Sequence, residues 1–141
     1  MKHGTPNPWQ GRCAVKRPDR FLQRWGHRFA CAGRGLFQVL RDEPSGRVHV
    51  VAVLLVGVLG IWLHLPALEW AVLGLAAAGV VAAEALNTAI ERLSDRVSKE
   101  EEEVIRVVKD MAAGGVLAAT AGAVLAGLMV LGPRLWELFA G

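Results

Sequence analysis

Cysteine is scarce in this chain. Only Cys13 and Cys31 occur among 141 residues, and no Cys-x-x-Cys pair is present. Both lie in a basic segment expected to face the cytosol, so two thiols are expected rather than a disulfide. The four histidines, His3, His27, His49 and His64, are scattered along the chain. That argues against a zinc site, and His49 and His64 are expected at membrane interfaces instead. The first residues are basic but lack an apolar core of about 7–15 residues and a small-residue cleavage site, so no secretion signal is expected. The phosphate-binding pattern GxxxxGK[ST] and the glycine-rich kinase loop are both missing. Any nucleotide chemistry must therefore use another scaffold.

Acidic residues are also rare at the start. Residues 1–47 hold ten of the sixteen Lys/Arg but only three acids, Asp19, Asp42 and Glu43. A nucleic-acid-binding arm is one reading of that bias. The stronger one is the excess of basic residues that flanks membrane spans on the cytoplasmic side.

What the chain has in plenty is apolar sequence. It is 53% hydrophobic with a mean hydropathy of +0.36, too apolar for an ordinary soluble domain of this size. The expectation is an all-α membrane protein forming one unit over residues 20–141 after a mobile tail over 1–19. Residues 20–41 mix Phe21, Leu22, Trp25, Phe29, Leu36, Phe37 and Leu40 with arginines at roughly helical spacing. That pattern suits an amphipathic helix lying on the membrane surface, or one packed on a partner. Three spans follow, at about 48–65, 67–90 and 111–132, each near the ~20 residues needed to cross a bilayer core. Pro66 breaks the chain after the first and Pro133 is expected to stop the third. The connection between spans two and three carries Arg92, Arg96, Lys99, Arg106 and Lys109, whereas the loop between spans one and two has no Lys or Arg. The N-terminus and that connection are thus expected to be cytosolic, in a multi-pass protein of the cell inner membrane. Spans two and three are rich in Gly and Ala, with a spacing such as Ala118/Gly122/Ala126. Small residues at that spacing let helices approach closely in lipid, so a homo-oligomer with a site between subunits is expected.

The polar residues of the stretch "EALNTAIERLSD" follow a helical stripe. Glu84, Asn87, Thr88, Glu91 and Asp95 fall at i, i+3, i+4, i+7 and i+11, on one face of a helix. Glu84 follows Val80, Val81, Ala82 and Ala83 and sits at the hydrocarbon edge, where an ionisable residue marks function or a partner. A carboxylate partly withdrawn from water binds a proton more readily, which suits a general base. Carboxylates nearer water suit Mg²⁺, with phosphate oxygens completing the shell, and Lys109 can neutralise phosphate charge. Glu43, an acid in a basic segment beside span one, joins the candidates. Arg92, Ser94, Arg96 and Glu100 to Glu103 are expected to be a solvated helix end, and Glu69 an interface residue at the other side.

The combination of "EALNTAIERLSD" with "KDMAAGGVLAA" at Lys109 to Ala119 resembles the signature of the prokaryotic diacylglycerol kinase family, which includes the undecaprenol kinases. The resemblance runs from about Phe21 to Pro133 and includes "RFACAGRGLFQVLRDEPSGRVHV" before the first span. It implies a trimer of three-span subunits with a surface helix at the cytosolic face. It implies transfer of the ATP γ-phosphate to the hydroxyl of a membrane lipid, diacylglycerol or undecaprenol, with Mg²⁺. By matching position, Glu84 would be the catalytic base, and Glu43 and Glu91 would hold Mg²⁺ with the ATP phosphates. Asn87, Asp95, Lys109 and Asp110 would shape the ATP site. Arg24 would contribute to ATP binding, and Arg34, with Glu84, to the lipid substrate. Two departures stand out. Glu101 and Glu102 replace an aromatic–His pair that contacts nucleotide in many members, and Ala32 replaces a serine found in some.

A reading from another class remains: a small non-enzymatic membrane protein, such as a proton-coupled transporter using Glu84 as its in-membrane carboxylate. The acids cluster at one end beside Lys109 and Asp110, where a carrier would place its carboxylate deep in a span. A scaffold with a degenerate nucleotide loop is a third reading.

Overall fold

The structure is a computed structural model that describes residues 21–97 and 102–140, with the side chains of 21–24, 42 and 44 outside that description. The segment expected to be a mobile tail and the loop position Glu101 lie outside the described residues. The protein is an all-α membrane protein. Its elements are α1 (Phe21–Asp42), α2 (Pro44–Trp62), α3 (Ala67–Val97) and α4 (Glu103–Ala140), and no strand occurs among the described residues. The last three are long and apolar enough to cross a membrane. At about 1.5 Å per residue, α3 with its 31 residues outruns a bilayer core of roughly 30 Å. Its polar end therefore projects past the hydrocarbon.

The chain divides at Gln38 into two units. In the first, α1 is amphipathic. Trp25 and Phe29 lie with ring centroids 6.1 Å apart, and the Arg28 guanidinium sits 5.4 Å over the Trp25 ring. Aromatics beside arginines in that arrangement suit a helix at a lipid headgroup layer. Cys31 is disulfide-bonded, which corrects the thiol expected there, and Cys13 lies outside the described residues. Bond formation depends on approach in space, which spacing along a chain does not report.

The second unit holds the spans. The chain turns from α1 into α2 at Glu43, whose backbone is extended (φ −89°, ψ 132°), and a proline opens α2. Proline is favoured there because its missing N–H needs no partner. Gly46 makes the turn close: a Cβ there would lie 2.6 Å from the Val39 carbonyl oxygen. α2 ends in a two-bond Schellman cap, Leu65 N–H to Gly60 carbonyl at 3.1 Å and His64 N–H to Ile61 carbonyl at 3.2 Å. His64 occupies its left-handed position (φ 53°), where glycine is usual. Leu65 then packs with Leu73 and Leu131 in a small core, with Trp70 against it. Gly60 permits this, since a Cβ there would lie 2.7 Å from the Trp70 ring. Arg134 of α4 donates to Glu69 of α3 at 2.8 Å and ties the same end.

One boundary differs from expectation. α4 does not stop at Pro133 but runs on to Ala140. A proline removes one helical hydrogen bond, which a long membrane helix can tolerate without ending, and Arg134 just beyond it is held by Glu69. The charged connection over 94–110 is helical at both of its described ends, as a partly helical segment should be, with α3 reaching Val97 and α4 starting at Glu103.

Candidate functional site

The face of α3 that packs inward carries Leu73, Val80, Glu84, Thr88 and Ser94, all buried. Their spacing is helical, so they form one stripe. The stripe is apolar up to Val80 and polar from Glu84 onward. Glu84 is therefore the point at which an inward face changes from hydrocarbon to hydrogen-bonding chemistry. It is 6% exposed, and a buried carboxylate needs donors to offset its lost hydration.

Those donors come from α2. Ser45 Oγ donates to Glu84 Oε2 at 3.2 Å, and His49 Nε2 donates to Glu84 Oε1 at 3.0 Å. Ser45 and His49 are four residues apart and so share a helix face. Beyond His49 the same region of the molecule opens into an apolar cavity of about 350 Å³ between α2, α3 and α4. His49 is at its polar end, and Gly57, Trp70, Ala77 and Val124 are among its walls. His49 thus touches both the buried carboxylate and a space that fits hydrocarbon.

Toward the polar end of α3 the remaining acids form separate pairs. Asn87 Nδ2 donates to Glu91 Oε1 at 2.9 Å, while Asn87 Oδ1 is buried without a partner among the described residues. Arg92 donates to Glu43 Oε1 at 2.9 Å, bringing the α1–α2 turn onto α3. Lys109 Nζ bonds Asp95 Oδ1 at 2.5 Å and joins α4 to α3. Arg106 bonds Glu103 at 2.6 Å and approaches Asp110 at 3.5 Å.

The α3 stripe expected from sequence is real at Glu84, Thr88, Asn87 and Glu91, which are buried or half-buried. Asp95 is exposed and turned to Lys109. Glu43 is drawn in through Arg92, which sequence reasoning had assigned to a solvated helix end. Asp110 is exposed. Arg34 is an exposed residue of α1, and the Arg24 side chain lies outside the described residues. Ser45 and His49 were missed as partners of Glu84. Their i, i+4 spacing on a span facing an in-membrane acid was the available signal.

The donor set can be tested against Mg²⁺. Among the described residues no group of three or more His, Cys, Asp or Glu gathers into a metal cage. Mg²⁺ does not require one, because it is usually held by one or two carboxylates with phosphates and waters. The unpartnered Asn87 oxygen beside Glu91 is a hard donor of the right kind. Glu91 and the Asn87 oxygen thus have the donor chemistry that Mg²⁺ takes, while Glu43 is held by Arg92.

Comparison with known proteins follows the same lines. The family described as prokaryotic diacylglycerol kinase matches residues 30–131. An undecaprenol kinase of Bacillus subtilis (strain 168) is 32% identical over 114 residues, 81% of this chain and 93% of the relative. A diacylglycerol kinase of Synechocystis sp. is 35% identical over 111 residues, 78% of this chain and 63% of that protein. A diacylglycerol kinase of Escherichia coli (strain K12) is 35% identical over 98 residues, 70% of this chain and 80% of the relative. The matched region contains every candidate site residue except Arg24.

Proposed function

The chain belongs to the prokaryotic diacylglycerol kinase family, a family of lipid kinases, and from that premise we propose that it transfers the γ-phosphate of ATP to the hydroxyl of a membrane lipid alcohol. The acceptor is diacylglycerol or a polyprenol of the undecaprenol type, the two classes in its relatives' names. One observation carries the reading: Glu84 is buried where the inward face of α3 turns polar, beside the end of an apolar cavity. A lipid can keep its tail in that cavity while its hydroxyl meets the carboxylate.

In the proposed reaction Glu84 accepts the hydroxyl proton as the lipid oxygen attacks the γ-phosphorus. An O–P bond forms, the P–O bond to ADP breaks, and ADP leaves with its electron pair. Phosphoryl transfer depends on positioning and charge neutralisation more than on covalent help. Glu43 and Glu91 would hold Mg²⁺, with Asn87 fixing Glu91, and the ion when bound would neutralise phosphate charge. Lys109, oriented by Asp95, adds a positive charge for the phosphates. Asp110 shapes the ATP site, with Arg24 contributing to it from α1, and Arg34 contributes to the lipid. The N-terminus and the polar end of the spans face the cytosol in the inner membrane, where ATP is available, and active sites are shared in a homotrimer. The transporter reading has no support from relatives whose names are all kinases.

The test supplies purified protein in lipid with labelled ATP, Mg²⁺ and each alcohol separately. Labelled phosphate is expected on one of the alcohols and absent without Mg²⁺. No transfer to any lipid alcohol would overturn the proposal.

A further inference from the structure

The role given to Glu84 leaves open what aims its carboxylate. We propose that Ser45 and His49 form a two-point clamp on Glu84, with His49 as the principal positioning residue for the phosphate-transfer step. The inference rests on Glu84 being the base.

Each carboxylate oxygen has its own donor from α2, Ser45 Oγ at 3.2 Å to Oε2 and His49 Nε2 at 3.0 Å to Oε1. One bond would leave the carboxylate free to rotate. Two bonds, from residues one turn apart on a neighbouring helix, fix its plane as well as its place. An ionised carboxylate offers about four lone-pair sites, so the clamp leaves acceptor capacity for the substrate proton. The His49 and Glu84 side chains are 18% and 7% exposed, so this bond forms largely out of water, where it is stronger. His49 also lines the apolar cavity. It therefore touches both the base and the space assigned to the lipid, and can hold the carboxylate toward the alcohol rather than toward α2.

The experiment compares His49→Leu, His49→Gln and Ser45→Ala with the unaltered protein, all full-length in lipid. Glutamine keeps an N–H donor at similar reach but cannot titrate. His49→Leu is expected to lower kcat on the order of tenfold to a hundredfold, the scale of a lost hydrogen bond to a charged group. The KM for ATP should stay within about twofold, because neither clamp bond goes to Asn87, Glu91 or Lys109. His49→Gln is expected to recover most of that loss. Equal losses in the Leu and Gln variants, or full kcat in His49→Leu, would overturn the proposal. Where His49→Leu fails to insert, Ser45→Ala carries the test. A several-fold fall in kcat supports the clamp and an unchanged kcat overturns it. Glu84→Gln in the same assay separates the two ideas. Its inactivity beside a fully active His49→Leu removes the clamp alone, whereas its full activity removes the base and the clamp together.

Discussion

At the scale of single residues the proposed site separates into a buried carboxylate, Glu84, and a half-buried to exposed set of residues, Glu43, Asn87, Glu91, Asp95, Lys109 and Asp110, proposed to meet phosphate and Mg²⁺. Glu84 takes two hydrogen bonds from α2, so Glu84→Gln should leave the packing nearly intact, the amide being isosteric. Phosphate transfer is expected to fall by about 10² or more, the lower range for a lost general base, while binding of a fluorescent ATP analogue persists. Transfer at the unaltered rate would remove the base assignment. Glu91 differs, since its carboxylate accepts from Asn87 beside an oxygen that lacks a partner. Glu91→Ala is expected to weaken nucleotide binding at least about tenfold in Mg²⁺ and to leave the weak binding in EDTA unchanged. Equal affinities in Mg²⁺ would take Glu91 out of the metal site. The stripe from Glu84 to Glu91 was legible in the sequence because one helix fixes its own side-chain spacing. The donors to Glu84 were not, because they come from residues 35 and 39 positions away. Which turn of α2 faces which turn of α3 depends on packing, and no local pattern encodes it.

At the scale of elements, the spans were legible from long apolar runs, and their ends were not. Pro133 read as a stop because proline breaks helices in water, yet α4 continues through it. The turn between α2 and α3 shows the opposite lesson, with a Schellman cap built on His64 where glycine is usual. His64→Gly is expected to raise stability by roughly 1 kcal/mol through relief of the left-handed conformation. A lower unfolding midpoint in detergent would show that the imidazole contributes more than the strain costs. The cavity between α2, α3 and α4 gives a second check. Gly57 lines it, and a Cβ there would meet no atom within 4 Å. Gly57→Leu therefore fills cavity without forcing the helices apart. It should raise the KM for the lipid alcohol several-fold, by excluding part of the tail, while the KM for ATP stays put. An unchanged lipid KM would place the tail elsewhere.

At the scale of the whole molecule, one chain encloses very little. No large side chain among the described residues is fully buried, and Leu54, Leu75, Leu117 and Met129 are exposed. Lipid can cover those residues, since the tails are as apolar as leucine. Hydrophobicity alone therefore does not demand a second copy. The small residues supply a sharper argument. Ala118 and Gly122 are exposed on α4, and a Cβ at Gly122 would meet no atom within 4 Å. A bulky side chain at that position has room in the isolated chain, so Gly122→Leu should leave the fold of the single protomer unchanged. If a neighbouring copy packs there, close backbone approach is lost and the assembly should dissociate. Chemical cross-linking in lipid nanodiscs is expected to give an oligomer for the unaltered protein and single chains for Gly122→Leu, with helical content equal by circular dichroism. If the sites are shared between subunits as proposed, transfer activity should fall with the oligomer. An unaltered protein that is fully active as a single chain would refute the shared site. An intact oligomer in Gly122→Leu would instead move the interface to another face of the spans.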